Sequence, residues 1–437
     1  MPTLALSMIV KNGGADLRQC LQSTRGVVDQ IVVADTGSTD DSREIAREFG
    51  AEVVEFPWCN DFAAARNAAL LPVTTDWVLV LDADEELDAA ASALLPRLLS
   101  HREFGGYLLP IRNYLPVRHA RMYNNVAVAN DGRNPRAAQC PSYTVHYNCR
   151  LFRRHAEIFF EGQVHERPED RIQACGFGIA KSDLLIHHFG QLASAEERLR
   201  KHIFYRDLGR AKVEQYPNSA MAWTELGLQE FENFHDLNEA TRCLTRAIEL
   251  DPLRHDAWMF LAMIYAEQGN CVAALAALDH SGHGASGEAM REQLRGDMLH
   301  DLGKLAQSRA AYRRALKAAA GDPVLESKLG YVEARIGMKQ SGMARMRRAI
   351  QSAGEMPELH ERLLKACIAT DELAQAAQVA EELAERFPAP RSILRAASIH
   401  AHLKNLDRAE RLLASGQQRF PLATELISAL EQIRQHA

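Results

Sequence analysis

Residues 77–84 read Trp-Val-Leu-Val-Leu-Asp-Ala-Asp (WVLVLDAD). A short unbroken apolar run of this kind predicts a strand buried on both faces, as in a parallel sheet covered by helices. Asp82 and Asp84 follow at its carboxyl end, separated by Ala83. Residues two apart in an extended segment project to the same side, so both carboxylates address one site, directly or through water. Hard oxygen ligands suit Mg²⁺ or Mn²⁺, ions that complete their shell with substrate phosphates. The competing reading is a solvated acidic turn in which Asp84, Glu85 and Glu86 help to cap a helix starting near Asp88.

On the amino-terminal side of this run, strand-like and helix-like patterns alternate. Leu4 to Val10, Gln30 to Ala34 and Glu52 to Glu55 read as strands; Ala15 to Ser23, Asp40 to Phe49 and Phe62 to Leu71 read as helices. Such alternation predicts an α/β, Rossmann-like domain with a parallel sheet and helices on both faces. Ligands in open sheets of this kind sit beyond the carboxyl ends of the strands. Asp35 ends the second run there, followed by the loop Thr36, Gly37, Ser38, Thr39 and Asp40, in which Asp40 reads as a helix cap. From Gly105 to His188 shorter extended pieces, Tyr107 to Ile111, Thr144 to Phe152 and Leu184 to His188, flank an irregular polar stretch from Asn124 to Pro141. They predict a mixed-sheet half on the acceptor side.

The remainder is helical. Residues 1–195 are expected to form the α/β domain, 196–216 a helical linker and 217–437 an all-α solenoid. Pro217, Pro252, Pro323, Pro357, Pro388 and Pro421 fall at intervals of 35, 71, 34, 31 and 33, the 71 being two units with the middle proline missing. A repeat near that length with small residues at fixed places, such as Gly227, Ala240, Gly296, Gly330 and Ala376, is the pattern of two-helix tetratricopeptide repeats. Each pair buries its apolar face only by stacking on its neighbours, and six such units form a concave surface suited to an extended peptide or protein.

Composition narrows the function classes. The 437 residues carry 51 basic and 57 acidic side chains, a net charge of -6, which supplies no basic stripe for nucleic-acid phosphates. No segment approaches the roughly 18 to 20 apolar residues of a spanning helix, and the opening run is stopped by Lys11 and Asn12 before it reads as a signal sequence. A cytoplasmic location is expected. The eight cysteines show no CxxC spacing, so reduced thiols are expected in place of a zinc site or disulfide framework.

Five stretches in order, LSMIVKN (6–12), VDQIVVADTGSTD (28–40), NDFAAARNAAL (60–70), DWVLVLDADEEL (76–87) and FEGQVHE (160–166), resemble the family 2 glycosyltransferases of GT-A fold. The likeness is greatest to a bacterial branch with carboxy-terminal tetratricopeptide repeats that includes sublancin-type peptide S-glycosyltransferases. The resemblance implies inverting transfer of a sugar from a nucleotide-sugar donor, a UDP-sugar, to a peptide or protein acceptor held by the repeats. It places the DxD motif on Asp82, Ala83 and Asp84 and the nucleotide contact on Asp35. Arg66 of the ARN stretch would neutralise Asp35 or reach the nucleotide, or else form a surface ion pair. Glu166, with His165 as second choice, would be the base that takes the acceptor proton. His188, in the late His-Phe-Gly segment, would join Asp84 and Asp82 at the metal. The chain departs from the family where Gly13 and Gly14 replace the acidic pair that usually follows Lys11 and Asn12.

Two rivals share parts of this pattern. One is a non-catalytic nucleotide-sugar-binding scaffold that recruits partners through its repeats. The other is a sugar-phosphate nucleotidyltransferase, whose Gly-rich basic loop is not made by Gly13, Gly14, Lys11 and Arg18 alone.

Overall fold

A computed structural model describes residues 2–117, 121–122, 125–162, 166–282 and 287–436. The chain divides into two compact units, Met1–Phe204 and Tyr205–Ala437.

In the first unit the leading strands are β1 (Leu4–Val10), β2 (Gln30–Asp35), β3 (Glu52–Glu55) and β4 (Trp77–Val80), interleaved with helices α1 (Gly14–Ser23), α2 (Ser42–Glu48) and α3 (Phe62–Leu70). There follow β5 (Glu85–Leu87), α4 (Ala91–Ser100), β6 (Phe104–Leu115), β7 (Arg121–Met122), β8 (Asn125–Val126), β9 (Val128–Ala129), β10 (Ser142–Arg153), α5 (Glu169–Ala174), β11 (Gly178–Lys181) and β12 (Ile186–His188). The main sheet runs β3-β2-β1-β4-β10-β6-β12-β5, with β11 on β6 and β9 on β10. β1 to β4 are mutually parallel, whereas β10 is antiparallel to both β4 and β6, which gives the mixed half.

Alternation along β1 explains why both faces are covered. Leu4, Leu6, Met8 and Val10 pack with Leu17, Leu21, Leu79 and Leu95 on one side, and Ala5 packs with Val32, Val78, Ala63 and Phe152 on the other. Trp77, Leu79 and Leu6 are wholly buried, each such side chain contributing about 1.5–3 kcal/mol. The parallel order points the ends of β1, β2 and β4 to one edge, where Asp35 and Asp82 stand.

The acidic run after β4 is not a helix cap. Glu85 to Leu87 pair antiparallel with Ile186 to His188, and α4 starts at Ala91, with Asp88 accepting from the Ala90 N–H at 2.9 Å.

The second unit continues α6 (Ala195–Gln215) into six helix pairs: α7 (Ala220–Glu232) with α8 (Leu237–Leu250), α9 (His255–Glu267) with α10 (Cys271–His280), α11 (Glu288–Asp301) with α12 (Leu305–Ala318), α13 (Pro323–Arg335) with α14 (Lys339–Ser352), α15 (Pro357–Ala369) with α16 (Leu373–Arg386), and α17 (Pro390–His402) with α18 (Leu406–Arg419); α19 (Thr424–His436) closes the series. Two pairs lie between Pro252 and Pro323, as the long interval requires. The repeat shows in recurring contacts: Trp223 Nε1 donates to the Pro217 carbonyl at 2.9 Å and Trp258 Nε1 to the Pro252 carbonyl at 3.0 Å. Pro323, Pro357 and Pro390 each open a helix at its first position, where the missing N–H costs nothing. Among the described residues no helix is long and apolar enough to cross a membrane, and the eight cysteines are free.

The small residues set the helix spacing. A methyl on Gly330 would lie 2.7 Å from the Gly342 carbonyl, and one on Gly342 would meet the Gly330 carbonyl closer still. Gly342→Ala should therefore destabilise the α13–α14 pair by about 1–3 kcal/mol, the usual cost of overpacking. Denaturant unfolding followed by circular dichroism reads this, and an unchanged midpoint would refute the close-packing argument.

Candidate active site

Asp35 ends β2 with its side chain 3% exposed. Its two oxygens accept from the Ser38 N–H at 3.1 and 3.2 Å, and Arg43 Nε stands 3.7 Å away. The loop beyond is tied to the start of α1: Asn12, at φ 55°, accepts from the Thr39 N–H at 2.8 Å, and Asp40 accepts from the N–H groups of Ser42 and Gly14, both at 3.1 Å. Gly13 has a packing reason. A side chain there would press on Val10, Leu17 and Ala83, the middle residue of the DxD run.

Asp82 follows β4, and its oxygens are both taken by arginines. Arg66 Nη2 reaches Oδ1 at 2.8 Å and Arg150 Nη2 reaches Oδ2 at 2.9 Å. Burial works against its ionisation, but Arg150 and then Arg66 outweigh it and hold the carboxyl well below the usual range. Arg150 also donates to Glu85 Oε1 at 2.9 Å, while Glu85 Oε2 accepts from the Asp82 N–H at 2.8 Å. Glu85 is 2% exposed, and burial pushes its pKa up to about 7; Arg150 pulls the other way and Asp82 adds to the rise.

Arg66 does not neutralise Asp35, nor is it a surface residue. It is 7% exposed in α3, and its Nε donates to Glu166 Oε1 at 2.5 Å. The next residue, Asn67, clamps Phe160, donating to its carbonyl at 2.9 Å and accepting from its N–H at 2.8 Å. The ARN stretch thus anchors both ends of the segment that carries Glu166. His165 lies outside the described residues.

Asp84 and His188 are brought together, with His188 Nε2 3.4 Å from Asp84 Oδ2. The His188 Nδ1 is 2.6 Å from Asn113 Oδ1, and Asn113 Nδ2 is 2.7 Å from His146 Nδ1. Burial, then Arg150, keeps His146 neutral, its pKa down to about 4. With Nδ1 engaged by Asn113, the Nε2 edge of His188 faces Asp84. Phe189 N–H donates to the Asp84 carbonyl at 3.0 Å, and a methyl on Gly190 would fall 2.6 Å from His188 Nε2 and 2.8 Å from Asp84 Oδ2. Only glycine fits beside the pair.

A divalent cation fits Asp84 and His188, a carboxylate and an imidazole side by side and partly open to solvent at 27% and 22%. It does not fit Asp82 as a direct ligand, since both of its oxygens accept from guanidinium. Among the described residues no three His, Cys, Asp or Glu side chains close on one point. The expected set of Asp82, Asp84 and His188 is therefore split in two.

Sequence reasoning missed Arg150, Glu85, Asn113 and His146. Arg150 sits where the β10–β6 register shifts between Cys149 and Leu151, and such a bulge re-aims a side chain. Its signal was a charged residue between two core residues, Cys149 and Leu151.

Residues 6–159 match the family model for glycosyl transferase family 2, and residues 214–334 match that for a tetratricopeptide repeat-like domain. The first unit thus carries a family 2 glycosyltransferase domain and the second a tetratricopeptide repeat-like one. A TPR repeat-containing protein of Synechococcus elongatus is 30% identical over 294 residues, covering 63% of this chain and 64% of its own. The SPbeta prophage-derived glycosyltransferase SunS of Bacillus subtilis is 25% identical over 191 residues, 43% of this chain and 40% of SunS. The chain thus spans less than two thirds of the length of these relatives. Among solved structures, PilW, a type IV pilus biogenesis factor, overlaps 48% of this chain and 98% of its own at a TM-score of 0.40 and 21% identity.

Glu85 generates a pH prediction. Its folded pKa is raised from 4.5 to about 7, so the fold holds the proton that the unfolded chain releases. The stability it contributes is complete below pH 4.5 and is lost as pH rises to about 7. Glu85→Gln removes that titration, so the melting temperature of the variant relative to the natural protein should rise between pH 5 and 7.5. A constant difference would show that Glu85 is ionised throughout.

Proposed function

We propose that this chain is a metal-dependent glycosyltransferase that moves a sugar, with inversion, from a nucleotide-sugar donor such as a UDP-sugar to a peptide or protein acceptor engaged by the repeats. The observation that carries the reading is the open Asp84–His188 pair beside an arginine-locked Asp82, at the sheet edge where Asp35 also ends its strand. Asp84 and His188 would hold Mn²⁺ or Mg²⁺, which stabilises charge developing on the leaving diphosphate. Asp82 then acts through geometry: its guanidinium partners fix the turn that presents Asp84.

Asp35 offers a buried carboxylate to the N–H or O–H groups of base or ribose, a charge-assisted contact that sets donor orientation. Glu166 is the proposed base. Its Oε1 is held by Arg66, which leaves Oε2 to take the proton of an acceptor hydroxyl or thiol as that oxygen or sulfur attacks the anomeric carbon and the diphosphate departs. Catalysis of this kind rests on positioning and electrostatics. The net charge of -6 does not favour a nucleic-acid acceptor, and the proposed bounds remain 1–195 for the α/β domain, 196–216 for the linker and 217–437 for the solenoid, the division between the compact units at Phe204 and Tyr205 falling within that linker.

Incubation with a panel of nucleotide sugars and Mn²⁺, with released nucleotide read by mass spectrometry, tests the whole reading. Turnover should disappear in Asp84→Asn and His188→Asn together with cation-dependent donor affinity measured by calorimetry. Tight donor binding without turnover, with cell lysate as acceptor source, would favour a non-catalytic sensor instead.

Glu166→Gln keeps a hydrogen-bond acceptor for Arg66 and loses basicity. The rate constant should fall about 10²–10⁴-fold while donor affinity stays unchanged. Equal losses in both would assign Glu166 to donor binding.

A further inference from the structure

The net charge of the whole chain conceals a local excess. Residues 301–350, which cover α12, α13 and nearly all of α14, carry 11 basic and 4 acidic side chains, against 51 and 57 in the 437 residues together. Within them α12 and α14, the second helices of successive pairs, contain no acidic residue. The corresponding helix of the first pair, α8, instead balances its charges along its own length, Arg242 on Glu239 and Arg246 on Glu249.

The two basic helices form one surface. Glu333, 3% exposed, accepts from Arg309 Nε of α12 at 3.4 Å and from Arg345 Nε of α14 at 3.1 Å, so a single carboxylate joins them. The repeat sets equivalent positions side by side: Arg313 and Arg347 stand 34 residues apart, as do Arg314 and Arg348, and all four are exposed. Arg314 is paired with Glu292 at 2.7 Å. Among the described residues no carboxylate is ion-paired with Arg313, Lys317, Arg347 or Arg348, and Arg347 donates to the neutral Gln375 at 3.2 Å. The fold does not require these charges, since packing is supplied by side chains such as Ala311, Ala315 and Met346. The position of Arg313 and Arg347 holds Asp279 one repeat earlier and Glu381 one repeat later.

A second feature coincides with the first. The turn that leads into each basic helix exposes an aliphatic side chain, Leu302 at 38% and Ile336 at 37%, where the flanking repeats have Gln268 and Thr370. A nucleic acid would call for aromatic side chains on which bases stack, and the outward positions of α12 and α14 carry none. An anionic bilayer uses both features. Its headgroups attract the bases, and aliphatic side chains enter the boundary beneath them.

We propose that the exposed sides of α12 and α14, with the turns that lead into them, dock on an anionic phospholipid surface. Arg313, Lys317, Arg347 and Arg348 meet the headgroups, and Leu302 and Ile336 enter the interfacial layer. The proposal rests neither on sugar transfer nor on a peptide held by the repeats.

The test uses the full chain, sedimented with sucrose-loaded vesicles of phosphatidylcholine with or without about one third phosphatidylserine. The protein should pellet with the anionic vesicles alone and be released by added salt. One basic side chain near such a surface contributes about fivefold in partition, so Arg313→Gln combined with Arg347→Gln should weaken binding about 25-fold. Leu302→Ser combined with Ile336→Ser should weaken it several-fold. Arg391→Gln combined with Arg411→Gln, an exposed change of equal charge outside α12 and α14, should leave it unchanged. Melting curves confirm that each variant is folded. Pelleting with neither vesicle or equally with both, equal losses in the two arginine pairs, no loss in the Leu302 and Ile336 variant, or full displacement by duplex DNA or polyglutamate at equal charge would each overturn the proposal.

Discussion

The sheet edge at the end of β4 depends on two largely buried guanidinium groups shared among three carboxylates. Arg66 bridges Asp82 and Glu166, and Arg150 bridges Asp82 and Glu85. Such buried networks add little net stability, because desolvation offsets the Coulomb gain, yet removing one member leaves an uncompensated charge that costs about 3–5 kcal/mol. Their contribution here is geometric. Three chain segments far apart in sequence are held to one point, and the displacement of Glu85 toward neutrality brings the charge of the cluster near balance, two cations against two full anions and a third that titrates near pH 7.

That constraint explains the division of the DxD run. Asp82 faces inward to the arginines, and Asp84, after the single small residue Ala83, faces His188. Gly13 and Gly190 leave room on either side, one against Ala83 and the other against the Asp84–His188 pair. The position where this chain departs from the family pattern is thus one where a longer side chain would press into the motif, and Asp40 and Ser42 supply hydrogen bonds to the backbone there instead. Asn113 completes the arrangement from β6, orienting the imidazole from behind.

What the residues declared in advance follows the range of the forces involved. The strands β1 to β4 and the six helix pairs were legible because their signals are local: apolar runs, turn residues and a recurring proline. Asp35 and Asp82 were legible as strand-end carboxylates because each closes an apolar run. The partners were not. Arg66 was expected near Asp35 and is found 100 residues from its partner Glu166 in sequence, and Arg150 reaches Asp82 only through a bulge that depends on the register with β6. Glu85 looked like part of a helix cap because a three-residue strand has no periodicity to read; its strand character comes from pairing with β12. His165, adjacent to Glu166, lies outside the described residues.

Buried arginines in this chain find their carboxylates in two ways. In the second unit Arg291 is 4% exposed and pairs with Glu288 and Glu292, a structural solution in which the guanidinium meets carboxylates of its own helix. Arg66 and Arg150 meet theirs across the sheet edge, so their geometry is fixed before any ligand arrives, which is what positioning chemistry requires. Among the described residues Arg66 Nη1 and Arg150 Nε are nonetheless buried without a hydrogen-bond partner, so these groups fix position at a cost in desolvation and do not maximise stability.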